Sequence, residues 1–367
     1  MRLRFVAVVI AAAALAVPAT AGAAKGGKKD DVRVMSRNVY LGSSLDPALA
    51  APSIAEAIDG AGQIYNEVAR TSFAERSVLL ADEIKDAKAD LVGLQEVALW
   101  REQRPSDLGG PPINPGGTSA TMVKYDFLKT LMSKLGRKYR VVGVQEEFEG
   151  ELPADIDNND ATGGPVSGED LDFRLTMRDV IVARDGVKTK NVKSGNYENR
   201  FETDVGGVAV AADRGWVSTK ANVDGTKFKF VNTHLEAFGD PRIRARQARE
   251  LVRGPADSSK DVVLVGDMNS DKDDTGGDQK AYDVIHNAGF VARQVRGNTS
   301  GHDESLTDPN DQDEFRRKID YVFVNNRDIK LVRRDSAIVG VDGPMSNPSG
   351  LWPSDHAGVF STLRFPS

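Results

Sequence analysis

The chain is 367 residues long, carries a formal net charge of −6 and contains no cysteine. The acidic balance weighs against tight, sequence-independent binding to long nucleic acid, whose affinity comes from Lys and Arg neutralising phosphates. The missing cysteines exclude disulfides, disulfide-linked partners and thiolate metal sites.

At the N-terminus, Arg2 and Arg4 precede an apolar run from Phe5 to Val17, and Ala19-Thr20-Ala21 offers a small-residue cleavage site. This is the pattern of a secretory signal peptide over residues 1–24, and the run is well short of the roughly 20 residues that span a bilayer. The expectation is an exported chain, secreted after cleavage, with no stable membrane insertion. Residues 25–367 are expected to form one domain and a monomer, because the candidate chemistry runs from Asn38 to His356.

Asp31 to Val39 alternates as a strand. Ser72 and Glu75 have capping-box spacing, and the following helix would turn Val78, Leu80, Ala81, Ile84 and Ala87 to a core. Leu91 to Val97 reads as a strand, and Met122 to Leu135 as a second helix stopped by Gly136. Further strands are expected at Arg140 to Gln145 and Asp179 to Ala183.

Trp216 to Val223 and Thr226 to His234 flank Asp224-Gly225, a strong hairpin signal. Asp240-Pro241 opens a helix to about Val252, with Asp as cap and Pro at the first helical position. Strands follow at Asp261 to Gly266, Ile319 to Val324 and His356 to Phe365. Arg101 to Ser119 and Glu146 to Asp172 read as loops. The second resembles a calcium loop at Asp155 to Asp160, but Asp160 stands where an EF-hand requires Gly. Asp271 to Asp278 reads as a surface turn.

The apolar run Val262 to Val265 ends in Gly266-Asp267-Met268-Asn269, and strand residues two apart share a face. Asp267 and Asn269 are therefore expected to project together from a sheet mouth. Other apolar strands end likewise in Glu96, in Asn232-Thr233-His234 and around Asp320, and Ser354-Asp355-His356 closes the set. Taken in order, Asn38, Glu96, His234, Asp267, Asn269, Asp320, Asp355 and His356 resemble the endonuclease/exonuclease/phosphatase superfamily, the deoxyribonuclease I-like metal-dependent phosphoesterases. The resemblance runs from about Val32 to the C-terminus. It implies an α/β fold, a four-layer α/β/β/α sandwich of two packed mixed sheets flanked by helices.

Phosphoester hydrolysis needs a hard cation, an activated water and help for the departing oxygen. Glu96 suits Mg²⁺ or Mn²⁺, with Ca²⁺ an alternative; the resemblance makes it the principal metal ligand, with Asn38 and Asp355 nearby. Many members carry a carboxylate two positions beyond the counterpart of Asn38, where this chain has Tyr40. His356 is the acid/base candidate because imidazole titrates near neutrality, and the resemblance gives Asp320 as its partner. Asp267 is the alternative base. Asn269 and His234 would hydrogen-bond the phosphate, and Arg178, with Arg174 as fallback, stands where relatives carry a phosphate-binding arginine. His286 and His302 match nothing in the pattern and are read as structural.

The expected activity is hydrolysis of phosphodiester bonds by a secreted, divalent-metal-dependent enzyme, foremost an extracellular nuclease acting on DNA or RNA. A cation in the site can supply the positive charge that the surface lacks. A sphingomyelinase or phospholipase C-like enzyme, a small-molecule phosphoesterase, and a catalytically silent binding module on the same fold are the alternatives.

Overall fold

The computed structural model describes residues 31–108, 117–157, 171–274, 277–307, 315–341 and 350–366. The signal-peptide reading and most of the calcium-loop reading lie outside these residues. The N-terminal half contains strands β1 (Asp31–Asn38), β2 (Leu91–Gln95), β3 (Leu99–Gln103), β4 (Met122–Asp126), β5 (Tyr139–Ala154) and β6 (Leu171–Arg184). Its helices are α1 (Asp46–Leu49), α2 (Ile54–Arg70), α3 (Phe73–Ala87) and α4 (Phe127–Leu135). Next come β7 (Lys188–Asn196), β8 (Phe201–Val205), β9 (Val208–Ala212), β10 (Gly215–Val223), β11 (Thr226–His234) and β12 (Val262–Asp267). Strands β13 (Val291–Ala292), β14 (Asp320–Val324), β15 (Lys330–Leu331), β16 (Ala337–Val339) and β17 (Gly358–Arg364) complete the set, with helices α5 (Pro241–Arg253) and α6 (Lys280–Asn287).

Two mixed sheets form. One runs β15-β17-β1-β2-β6-β3-β4, with β16 also on β17 and β5 also on β6; the other runs β13-β14-β12-β11-β10-β7. Between them Val34, Leu91 and Ile181 meet Phe230, Val263, Val265 and Val322. The outer face of the first sheet packs on α3 and α4 through Leu80, Ile84 and Leu131, and that of the second on α5 and α6 through Leu251 and Ile285. The four-layer α/β/β/α arrangement follows, because each sheet has two apolar faces to cover.

At one point the sheets touch closely. A Cβ on Gly93 would lie 2.4 Å from Asn232 Oδ1, and the Asn232 amide donates to the carbonyls of Leu94 and Val180. Asn232 thus staples the first sheet to the strand that ends in His234.

Several local expectations change. Met122 to Leu135 is not one helix: Met122–Asp126 pairs with β3, and the helix starts at Phe127, where Asp126 accepts from Lys129 N. Ser72 makes no side-chain cap and has φ +28°. The capping spacing that is used is Ser53 with Glu56, where Ser53 opens the unexpected helix α2. Val78 is 41% exposed rather than in the core. Glu146–Ala154 is strand, not loop, because it zips along β6. Strand β7 is exposed along nearly its whole length, so no apolar alternation marked it in the sequence.

Candidate active site

Three polar residues form one rung of the second sheet. β11 and β12 are parallel with His234 opposite Asp267, and β12 and β14 are antiparallel with Asp267 opposite Asp320. Across the sandwich, β1 ends in Asn38 and β2 runs into Glu96. The site therefore sits where the ends of both sheets meet.

His356 Nδ1 lies 2.9 Å from Asp320 Oδ2, and His356 Nε2 3.7 Å from Asp267 Oδ2. His234 Nε2 is 3.6 Å from the same Asp267 oxygen. The Asn38 amide donates to Glu96 Oε1 at 2.9 Å and to Asp267 Oδ2 at 3.2 Å, joining the two sheets. Asn269 joins the group by a different route from the one its spacing suggests. The strand stops at Asp267, Asn269 has φ +46°, and its N–H donates to Asp267 Oδ1. A turn rather than strand alternation brings the two together.

Backbone geometry here is restricted. Tyr40, Glu96 and Asn269, each just past a strand end, all have positive φ, a conformation disfavoured for side chains and concentrated at functional sites. Gly266 has φ +154°, and a Cβ there would lie 2.0 Å from the Thr233 carbonyl oxygen, so only Gly fits beside the His234 strand.

Two buried arginines hold the segments in place. Arg37 donates to the His356 carbonyl and pairs with Glu83. Arg76 donates to the carbonyls of Thr71, Val39, Pro353 and Tyr40. Neither stood out in the sequence, because a lone Arg in a strand or helix looks like a solvated charge.

Charge states follow from burial and neighbours. Burial acts to lower His356, but Asp320, Asp355 and Asp267 outweigh it and hold the imidazole well above its ordinary range. His356 is thus an imidazolium near neutrality. His234 is pushed well below its ordinary range by burial, then by Arg214 and His356, and is neutral. Burial and Asp320 push Asp267 up to about 7, with His356 opposing.

Arg214 also holds the His234 ring. Its guanidinium, which can only donate, lies 3.1 Å from His234 Nδ1. On the other side of the ring the Asn269 amide nitrogen lies 3.1 Å from Nε2, so the imidazole is gripped between two donor groups beside Asp267. Arg214 is held in turn by Glu236 at 3.3 Å and Glu147 at 3.9 Å. Glu147 lies within the stretch read as an acidic loop, and Asp179 within an expected strand; the sequence clue was a carboxylate inside an otherwise apolar run.

Glu147, Asp179 and His234 bring ligand atoms within 4.8 Å of one another. The Arg214 guanidinium already supplies a cation there, and burial favours neutral carboxyls instead. Burial pushes Glu147 up to about 8, opposed by Arg214 and the Gly215 N–H, and raises Asp179 well above its ordinary value, reinforced by Glu147. Since the folded pKa of Glu147 exceeds the unfolded one, its contribution to stability is full below about 4.5 and declines as pH rises through about 8. Glu147→Gln is expected to flatten this decline, worth up to about 1.4 kcal/mol per pH unit within that window. Thermal melts across the window check it; parallel wild-type and variant curves would overturn it.

The remaining expected site residues are placed as follows. Arg178 does not face the cluster as a phosphate ligand. It donates to the Val97 and Ala98 carbonyls and to Asp126, so it ties the segment after Glu96 to the start of α4. Arg178→Gln is expected to destabilise the fold by about 1–3 kcal/mol through the acceptors it leaves unpaired, with little change in KM. A large rise in KM at unchanged stability would restore the phosphate-binding role. Arg174 donates to the Ala120 carbonyl and pairs with Glu149. Asn38 turns its Oδ1 to Tyr40 N–H and its amide nitrogen to the carboxylates of Glu96 and Asp267, so it spaces the two carboxylates. Tyr40 is buried and its hydroxyl donates to the Glu304 carbonyl, so the place of the missing carboxylate is filled by packing.

Asp355 adjoins His356. Burial pushes it up to about 6, with His356 opposing and Glu96 adding like-charge repulsion. His302 packs against Trp352 and Phe315, and His286 against Tyr282, in line with their structural reading. Asp271 is buried and accepts from Lys318 N–H, and Asp278 pairs with Arg244 and Arg317. That segment is therefore anchored rather than a simple surface turn; residues 275 and 276 lie outside the described residues.

The cluster fits a divalent cation. Ligand atoms of Glu96, His234 and Asp267 lie within 4.8 Å of one another. Two of the three are carboxylates, a donor set suited to Mg²⁺ or Mn²⁺. Buried Asp320 Oδ1 has no hydrogen-bond partner among the described residues, a further sign that this site is rich in uncompensated negative charge.

A sandwich whose sheet ends bring together an Asp-held imidazolium, a neutral imidazole, an amide and a carboxylate pair defines a phosphoester hydrolase. The chain belongs to the Endonuclease/Exonuclease/phosphatase family, whose model matches residues 62–356. Among solved structures, the mannosyl-6-phosphatase Bt3783 of Bacteroides thetaiotaomicron VPI-5482 is 18% identical, with 91% of this chain and 100% of that chain covered and a TM-score of 0.50. An endonuclease/exonuclease/phosphatase from Beutenbergia cavernae DSM 12333 is 19% identical, with 92% and 72% covered and a TM-score of 0.51. A humanized D. rerio TDP2 is 14% identical, with 91% and 99% covered and a TM-score of 0.51. At these identities the likeness is one of fold. No curated protein matches the chain.

Proposed function

We propose that this phosphoester hydrolase is an exported nuclease that cleaves phosphodiester bonds with the help of a divalent cation. The observation that carries the reading is the His234–Asp267–Asp320 rung with His356 seated on Asp320. It places two imidazoles of opposite charge state on either side of one carboxylate, as expected of groups that divide acid and hydrogen-bonding work.

A cation held by Glu96 and Asp267 would neutralise phosphoryl charge and favour ionisation of bound water. His356, oriented through Nδ1 by Asp320, presents its Nε2 proton to the departing ester oxygen. Water adds to phosphorus, the P–O ester bond breaks, the leaving oxygen takes the His356 proton, and the proton lost by water restores the imidazolium. His234 and the Asn269 amide, whose nitrogens lie 3.1 Å apart beside the Leu235 carbonyl, line the place of the non-bridging oxygens. This reading makes His356 an acid rather than the base anticipated from its ordinary titration range.

Export is supported by the charged start and apolar run of residues 1–24, and N-terminal sequencing of protein recovered from culture fluid tests it. No described helix is long and apolar enough to cross a membrane. A second reading, hydrolysis of a phospholipid head group, is favoured by Leu108, Met122 and Val123, each more than half exposed. An apolar hollow of about 140 Å³, walled by Trp100, Phe148 and Phe173, adds to it.

The deciding experiment assays the purified mature protein on plasmid DNA, RNA, sphingomyelin and bis-p-nitrophenyl phosphate, with Mg²⁺, Mn²⁺, Ca²⁺ or chelator. Turnover of sphingomyelin without cleavage of either nucleic acid would replace the nuclease reading by the lipid one.

A further inference from the structure

Helix α5 carries Arg242, Arg246, Arg249 and Arg253 at spacings of four, three and four, which places them along one helix face. All four are exposed, while Arg244, Ala245, Gln247, Ala248 and Leu251 are buried. Arg242 is paired with Asp240. Among the described residues Arg246, Arg249 and Arg253 make no ion pair or side-chain hydrogen bond, in contrast to exposed arginines such as Arg200, on Glu202, and Arg70, on Glu67. Three uncompensated cations on one helix face stand out in a chain of net charge −6.

Across from them lies α6. The groove between the two helices is lined by Arg242, Arg246, Arg249 and Lys280, with Ala245, Val284 and Asn287, and Asp283 is its only acidic lining residue. Its place in the fold connects it to the active site. Helix α5 starts seven residues after His234, and on its buried side Arg244 donates to the Asn269 carbonyl. Arg244 leaves the helix on the side opposite the arginine stripe, so α5 itself stands between the groove and the Asn269 turn.

We propose that the groove between α5 and α6 binds the phosphates of a single-stranded nucleic acid flanking the one being cleaved, so that the enzyme favours strands over short esters. This rests on the nuclease reading above and supplies what that reading lacked, a local cationic surface on an acidic protein. Unpaired guanidiniums suit phosphate, and a trough between helices admits a strand. An anionic membrane fits less well, because interfacial binding adds apolar anchors to the cations, and here the apolar lining is only Ala245 and Val284.

The test uses the charge-reversed pair Arg246→Glu/Arg249→Glu, with Arg246→Gln/Arg249→Gln as a milder version and Arg333→Glu/Arg334→Glu as a control for net charge on another surface. Cleavage of a 20-nucleotide DNA strand, a dinucleotide and bis-p-nitrophenyl phosphate is followed at several salt concentrations. The expected result is a rise of tenfold or more in KM for the long strand. Its salt dependence should weaken by about 0.7 per lost phosphate contact, with the two short esters and the control pair unaffected. An unchanged KM for the long strand overturns the proposal, as does loss of binding to phosphatidylserine vesicles in its place. Wild-type turnover of bis-p-nitrophenyl phosphate with no cleavage of DNA or RNA of any length would instead overturn the nuclease reading itself, and the groove proposal with it.

Discussion

Replacing His356 by alanine is expected to slow phosphoester turnover by roughly 10²–10⁴-fold, the contribution of a positioned proton-transfer group, while leaving the fold nearly intact. The side chain's polar contacts are with Asp320 and Asp267 at the site, whereas the backbone is held independently by Arg37 and Ser354. Asp320→Asn should also slow turnover, because it removes the carboxylate that keeps the imidazole charged and oriented. Because the two act as one unit, the double variant should fall well short of the product of the single losses. Steady-state kinetics on bis-p-nitrophenyl phosphate would measure all three. Multiplicative losses would separate Asp320 from His356, and a fully active His356→Ala enzyme would move proton transfer to Asp267.

Removal of divalent cations is the second large effect. Chelation is expected to abolish activity, and Mg²⁺ or Mn²⁺ to restore it, because the site offers the carboxylates of Glu96 and Asp267 without the thiolates that would retain a tightly held zinc. Glu96→Gln should raise the cation concentration needed for half-maximal activity by tenfold or more. Thermal stability should change much less, since Glu96 is partly exposed just past its strand and one of its two acceptor roles, toward Asn38 through Oε1 and Leu41 through Oε2, passes to the amide oxygen. Full activity in excess chelator would falsify the metal assignment. An equal loss of stability and activity in Glu96→Gln, with the cation requirement unchanged, would make the residue structural.

Much of the catalytic constellation was readable in the chain because each polar residue interrupts or ends an apolar strand. Glu96 after Leu91–Gln95 and Asp267 after Val262–Gly266 are carboxylates placed where a buried run meets the sheet end. Asp224-Gly225 and Asp240-Pro241 were equally legible, since turn and cap chemistry acts between close neighbours. Strands β7 and β4 were not, because their residues are exposed or mixed and pairing with a neighbouring strand decides their conformation.

By itself, then, the sequence determined the strand-and-helix alternation, the two-sheet class and the identity of most side chains at the site. The tertiary structure decided what those side chains are. Asn38 meets Asp267 across 229 positions of the chain, and Arg214 meets His234 across two strands. Local pattern carries no signal for such meetings, yet they make His356 charged, His234 neutral and Asn38 a spacer, and they leave Arg178 holding backbone. The physical reason is that protonation and hydrogen-bond direction depend on burial and on neighbouring charge, and both come into being only when the ends of the two sheets are brought together.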